Sequence, residues 1–330
     1  MKKNYICILL IFIAVISLVL SSMRYTFFES ESLKNKAIVD NNISIIGDYI
    51  FYESKSGLVG IAKNLKTDEK KIVGIGLYNV NVYDDEIYYF AQRSVNPESF
   101  FCKRGIKSLL ESRVTPSRVS SYKFYNGYLY FQKYSYSTDE DGNENGYIYR
   151  MDLDTKKTEK LIALRTRGFD IVNDTIYYIR YSKEGYERYN ELLCDGIFSY
   201  SLVNGKEKLI VDGWIGDFAI HGNDIVYSEY ILEHSDNESN GKYHLSWLDL
   251  ALNETIEISK DINVFRLYND NICYTEKETS DVINIINCST EKETSVIAKN
   301  IDCAYGFVLY GENIYYYDIE HNLCRNYLET

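Results

Sequence analysis

Asn173-Asp174-Thr175-Ile176-Tyr177-Tyr178 decides the architecture. Two turn formers, a spacer, an aliphatic residue and two aromatics stand in that order, and close variants recur six more times. They are Gly47–Tyr52, Asp84–Tyr89, Asn126–Phe131, Gly222–Tyr227, Asn269–Tyr274 and Gly311–Tyr316. The aliphatic anchors fall at 50, 87, 129, 176, 225, 272 and 314, a mean spacing of 44 residues. Gly, Asn and Asp tolerate positive φ, so each pair closes a tight hairpin. Successive strand residues point to opposite faces, so the run after each turn is apolar on both sides. Such a strand does not suit an open sheet with one wet face. It suits a sheet lying between two others, the environment of a four-stranded propeller blade of 40–50 residues.

The spacing therefore predicts an all-β chain, a β-propeller of seven four-stranded blades. Third and outer strands are readable at Tyr147–Asp154 with Thr158–Ile162, Ile197–Val203 with Lys208–Val211, and Leu245–Leu250 with Thr255–Ile258. Blade 2 is ambiguous: Phe100–Gly105 and Ser108–Glu111 suit strands or a short helix. The last blade ends after Leu323–Leu328, one strand short. Lys34–Asp40 resembles Lys206–Asp212, the outer strand of blade 4, so residues 33–40 are expected to complete blade 7 and tie the two ends of the chain together.

Lys2 and Lys3 precede an apolar run, Tyr5–Leu20, followed by Ser21 and Ser22. A basic start and an apolar core mark an export segment. The core lies between the length of a cleaved signal and that of a spanning helix, and the cleavage site is poor, so residues 1–23 read as a signal-anchor with a signal peptide as the alternative. Residues 24–32 are a linker, and 33–330 one propeller domain. The lysines place the start in the cytoplasm and the propeller outside it, as a single-pass protein of the cell membrane or, if cut, a secreted one.

Tyr is the outstanding residue, at 33 against Phe 14 and Trp 2, and aromatic enrichment favours strands. With 36 basic and 48 acidic residues the net charge is −12, which argues against nucleic acid. No CxxC, HExxH, GxSxG or phosphate loop occurs in the chain.

Candidate sites cluster where the loops between second and third strands are long and acidic. In blade 3, Asp141, Asn143, Asn145 and Asp152, with Gly146 sixth, match a calcium loop with oxygens at positions 1, 3, 5 and 12. Position 12 is Asp rather than a bidentate Glu, and a solvated hairpin turning at Asn145-Gly146 is the competing reading. Blade 5 echoes the pattern more weakly at Asp236, Glu238, Asn240 and Gly241. Arg113, Arg118, Arg165, Arg167 and Trp214 sit at the junctions between blades. Converging arginines there suit a carboxylate or an anionic sugar, against independent solvated side chains, and Trp214 also suits packing between blades. His234 and His244 flank the acidic loop and, placed opposite each other with Asp236, suit zinc. Cys273 and Cys288 flank one turn and are candidates for a disulfide or for small core hydrophobes.

Ile225-Val226-Tyr227-Ser228-Glu229 and Ile272-Cys273-Tyr274-Thr275-Glu276 resemble degenerate Leu-Tyr-Trp-Thr-Asp repeats of low-density-lipoprotein-receptor-type propellers. The Ile-Tyr-Tyr copies, with the turn Asp152-Leu153-Asp154-Thr155, resemble an uncharacterised bacterial group of exported propellers related to that family and to TolB-like propellers. The resemblance covers residues 33–330. It departs from the receptor type, whose ring has six blades, and it implies contact with protein or glycan at the cell surface rather than a reaction. The leading expectation is a binding or scaffold module for a protein, peptide or cell-wall glycan. A propeller-type glycan hydrolase or lyase, and the sensor subunit of a surface complex, are the alternatives.

Overall fold

A computed structural model describes residues 38–328 apart from 41–42, 56–58, 76, 93–98, 106–110, 116–117, 135–145, 182–193, 236–237, 280, 291, 299 and 303–305. The expected anchor and linker lie outside the described residues. Among the described residues no helix is long and apolar enough to cross a membrane.

The chain is an all-β propeller of seven antiparallel sheets, each a meander in which sequential strands pair. Blades 2 to 6 have four strands each. Blade 4 is representative: Thr166–Val172, Thr175–Tyr181, Cys194–Ser201 and Glu207–Asp212. In blade 2 the uncertain segments are strands, Ser99–Gly105 and Glu111–Arg113. Blades 1 and 2 with most of blade 7 form one compact unit, and blades 3 to 6 the other.

The turns follow the local rule. Asp84-Asp85, Asn126-Gly127 and Asn173-Asp174 have both central residues at positive φ, the mirror-image turn whose twist matches the flanking strands. Gly47, Gly222, Asn269 and Gly311 carry positive φ at the first turn position alone. All seven anchors are buried, none more than 2% exposed. The aromatic run beyond them is buried on both sides, apart from the half-buried Tyr177. Apolar side chains of adjacent sheets fuse into shared cores. Ile179, Ile197 and Val211 of blade 4 pack with Ile215, Ile225 and Tyr227 of blade 5, for example.

Polar bonds at equivalent positions join neighbouring blades. The Tyr125 hydroxyl donates to the Asp174 carboxylate at 3.1 Å, His221 Nε2 lies 3.0 Å from Asp270 Oδ1, and the Tyr310 hydroxyl donates to the Gly47 carbonyl at 3.1 Å. A second recurrent device closes the turn to the outer strand. Side-chain oxygens of Asn64, Asp152, Asp249 and Asn287 each accept backbone N–H groups two and three residues on.

The closing strand differs from expectation. Ile38–Asp40 pairs with Ile43–Ile46 in blade 1, with Asp40 opposite Ile43. Blade 7 consists of Phe307–Tyr310, Asn313–Tyr317 and Leu323–Tyr327. The pairing of 38–40 with 43–46 spans two residues, so it costs far less loop-closure entropy than reaching blade 7. Residues 33–37 lie outside the described part. Side chains bridge the seam between blades 7 and 1 instead. The Tyr317 hydroxyl accepts from the Glu53 N–H at 2.8 Å and donates to the Glu53 carbonyl at 3.2 Å. Tyr317→Phe removes both bonds and leaves two part-buried backbone groups short of a partner. A loss of about 1–3 kcal/mol in chemical denaturation is expected, and an unchanged midpoint would show that the seam does not depend on this hydroxyl.

Candidate functional site

In a meander blade the second-to-third connection lies on the same side as the junction to the next blade. In blades 3, 4 and 5 the ends of the second strands and the starts of the third therefore share a face with the starts of the first strands. Asp141, Asn143 and Asn145 lie outside the described residues. Asp152 is described, and its Oδ1 accepts the N–H groups of Asp154 (3.0 Å) and Thr155 (2.7 Å), which hold its carboxyl below the usual range. It pairs with Tyr128, whereas the Gly146 N–H reaches the Lys133 carbonyl, five residues further along the same neighbouring strand. That puts Asp152 about 17 Å along the strands from Gly146, the sixth position of the expected calcium loop. Its role is the turn-closing one of Asp249 and Asn287.

The base of the blade 3 loop is fixed by a buried polar knot. Gln132 Nε2 donates to the Thr166 carbonyl at 2.6 Å and to its Oγ1 at 2.7 Å, and the Thr166 hydroxyl donates to the Gly146 carbonyl. Gly146 has φ +81, and a Cβ there would lie 2.7 Å from Thr166 backbone atoms, so the loop end and the start of blade 4 touch through main chain. Arg118 opens the first strand of blade 3, Arg118–Tyr125. Arg165 lies over the Tyr181 ring, 5.2 Å from its centroid. Arg167 is exposed on the first strand of blade 4. In blade 2, Arg113 covers the Phe100 ring at 3.7 Å.

Blade 5 carries the most developed surface. Its second and third strands, Asp224–Ser235 and Glu238–Asp249, each have 12 residues, against 7 and 6 in its first and outer strands. The first strand stops pairing at Glu229 and the outer strand at Leu245, so the six pairs from Tyr230–Tyr243 to Ser235–Glu238 form a free two-stranded ribbon. Half-buried aromatics brace its root. Trp214 stacks on Tyr230 (6.2 Å, 27°), and Tyr230 meets Tyr243 at 5.2 Å. Trp214 is thus a packing residue of the root that leaves part of its ring open.

On the opposite face of the same strands lie Glu229 and His244, directly cross-strand. Burial pushes the Glu229 carboxyl above the usual range; nearby His244 opposes the shift and Asp212 adds to it. His244 Nδ1 sits 2.8 Å from Glu257 Oε2. The register separates the two histidines expected to share zinc, and Asp236 lies outside the described residues. His234 faces Ser239, five ladder steps or about 17 Å from His244. Among the described residues no group of three or more ligating side chains is placed to hold a metal ion. Cys273 and Cys288 are free. Cys273 stands opposite Ile285, and Asn271 opposite Asn287. The two cysteines therefore lie on opposite faces, three ladder steps or about 10 Å apart along the strand, beyond disulfide reach. Burial raises both thiols, Cys288 to about 11, so neither is a ready nucleophile.

Glu229 escaped the sequence reading, although a signal for it exists in the next blade. Glu276 holds the same place there, opposite Ile262 as Glu229 is opposite Ile215. It accepts a hydrogen bond from Ser259 at 2.6 Å. In the outer strand of blade 4 Val211 holds the register place of Ser259, opposite Ile197 as Ser259 is opposite Leu245, and the exposed Asp212 follows it.

No family model matches the chain, and no curated protein matches it. Solved structures do. A structure described as "Oligogalacturonate lyase in complex with manganese" aligns with a TM-score of 0.55 at 10% identity, covering 89% of this chain and 96% of that one. The computationally designed Ika8 protein aligns at 0.54 with 8% identity, covering 90% and 98%. TolB from Acinetobacter baumannii aligns at 0.50 with 12% identity, covering 77% and 65%. At such identities the likeness concerns the fold alone, a β-propeller.

Proposed function

We propose that this chain is a binding or scaffold module, held at the outer face of the cell membrane by residues 1–23, and that the face carrying the long connections engages a protein partner. The blade 5 ribbon carries the reading. Six strand pairs extend beyond their own sheet, braced at the root by three aromatic rings, and such a projection adds contact surface without adding to the core. The acidic charge, near −14 once residues 1–22 are set aside, disfavours nucleic acid and favours basic protein surfaces. Cell-surface crosslinking of the full-length chain tests it. A partner is expected that is lost when 231–242 are replaced by a short turn, with the blades still folded. Recovery of no partner, or of the same partner without the ribbon, would refute the reading.

A further inference from the structure

Blade 1 carries an added strand on its inner side. Ile38–Asp40 comes before Ile43–Ile46 in the order of the sheet, so it lies beyond the first strand and not at the outer edge. The first strands of blades 7, 1 and 2 stand side by side. The Val80 N–H donates to Ser44 Oγ at 3.0 Å, and the Tyr310 hydroxyl reaches the Gly47 carbonyl. Ile38–Asp40 lies against the first strands of blades 7 and 2, Phe307–Tyr310 and Leu77–Tyr83, as well as its own. The segment that brings the chain into the fold is therefore inside these three blades rather than on their rim. Its register gives it a direction. Ile38 stands opposite Ile45, one residue from the end of the first strand and the Gly47-Asp48 turn, while Asp40 stands opposite Ile43, where that strand starts. Side-chain contacts mark the two sides of the blades. On the turn side, Asp48 accepts the Leu65 N–H at 2.7 Å through its carbonyl and Lys66 Nζ at 2.8 Å through its carboxylate, which brings the third-to-outer turn of blade 1 alongside. On the other side, Lys55 and Glu320, from the second-to-third connections of blades 1 and 7, pair at 3.1 Å.

We propose that the tether joins the propeller on the turn side, so that the first-to-second turns of blades 7, 1 and 2 face the bilayer and their second-to-third connections are presented away from it. This rests on the membrane tether of the binding-module reading and assigns that tether a side. Reach decides against the reverse orientation. Residues 24–37, between the expected anchor and the inner strand, span about 50 Å at full extension. Round the outside of blade 1, a chain starting at Ile38 has to cross the sheet to its outer strand, Lys70–Ile75, about 19 Å at the usual strand spacing. It then has to run the length of that strand, about 20 Å more. Little of the tether is left to meet a bilayer lying against the second-to-third connections. On the turn side the whole reach is available. The turns there, Gly47-Asp48 and Asp84-Asp85, are short and polar, which suits a side that lies over headgroups without entering the hydrocarbon.

The full-length chain reconstituted in phosphatidylcholine vesicles tests it, with a fluorescent amino acid at position 67 or at position 319. Thr67 is exposed on the third-to-outer turn of blade 1, and Ile319 is exposed on the second-to-third connection of blade 7, so the two report opposite sides. Energy transfer to an acceptor dye on the lipid headgroups is expected to be several-fold greater from 67 than from 319. Because the measurement uses lipids of both leaflets, it does not depend on which way the chain inserts. A long Gly/Ser insertion after Ser32 should bring the two signals together, since a flexible tether of that length passes round the blade. Equal transfer from the two positions of the parent, greater transfer from 319, or an insertion without effect would overturn the proposal while leaving the tether intact. A chain that does not float with the vesicles would overturn the tether, and the proposal with it.

Discussion

Tyr178→Ala is expected to destabilise the protein by about 3–5 kcal/mol, measured as a lower midpoint in urea. Tyr178 is fully buried in the core shared by blades 3 and 4, with Tyr130, Ile148 and Phe169. Its ring stacks on Phe198 at 6.0 Å, and its hydroxyl donates to Glu207 on the outer strand. Alanine removes the ring and strands that carboxylate beside Arg180 alone. Tyr178→Phe keeps the ring and loses only the hydroxyl bond, so a smaller loss of about 1–2 kcal/mol is expected. Equal effects of the two variants would show that the hydroxyl, not the packing, holds the blade.

Gly196→Ala should be nearly as damaging, at about 2–4 kcal/mol. Gly196 has φ +135 on the third strand of blade 4, between Arg180 and Asp212. A Cβ there would stand 2.1 Å from the Val211 carbonyl oxygen, so the backbone of the outer strand has to move. Gly205→Ala is the control. Its φ of +69 carries the left-handed penalty, about 1 kcal/mol, but its nearest neighbour is the Tyr200 hydroxyl at 3.4 Å. Thermal melts of both variants check the comparison, and a Gly196 variant no worse than the Gly205 one would contradict the close approach of the strands.

The hairpins were legible because both of their signals are local. The residues at Asn173-Asp174 set the turn, and Ile176–Tyr178 set the two-sided burial. What depends on a distant partner was not. Lys34–Asp40 looks like an outer strand, yet the part of it that is described, Ile38–Asp40, pairs with its neighbour in sequence. His234 and His244 flank one loop, but a strand ladder places them by register, and register put Ser239 opposite the first and Glu229 opposite the second. Asp152 fits a metal-loop spacing by count, whereas a strand fully extends the residues that such a loop has to curl. The upward shift at Glu229 comes from burial, with Asp212 at the end of the preceding blade adding to it, and no short window around Glu229 contains that residue.

The bonds that join neighbouring blades bear on how such a chain arises and changes. A tyrosine hydroxyl meets a carboxylate at Tyr125–Asp174, an imidazole does so at His221–Asp270, and a hydroxyl meets a main-chain carbonyl at Tyr310–Gly47. Segments that share one pattern thus carry different matched pairs at corresponding junctions, each tail fitted to the head it touches. The segments stay alike in outline but have ceased to be interchangeable parts: one moved elsewhere in the order would meet a mismatched neighbour on either side. Inheritance of this architecture is tied to the order of its segments as much as to their number.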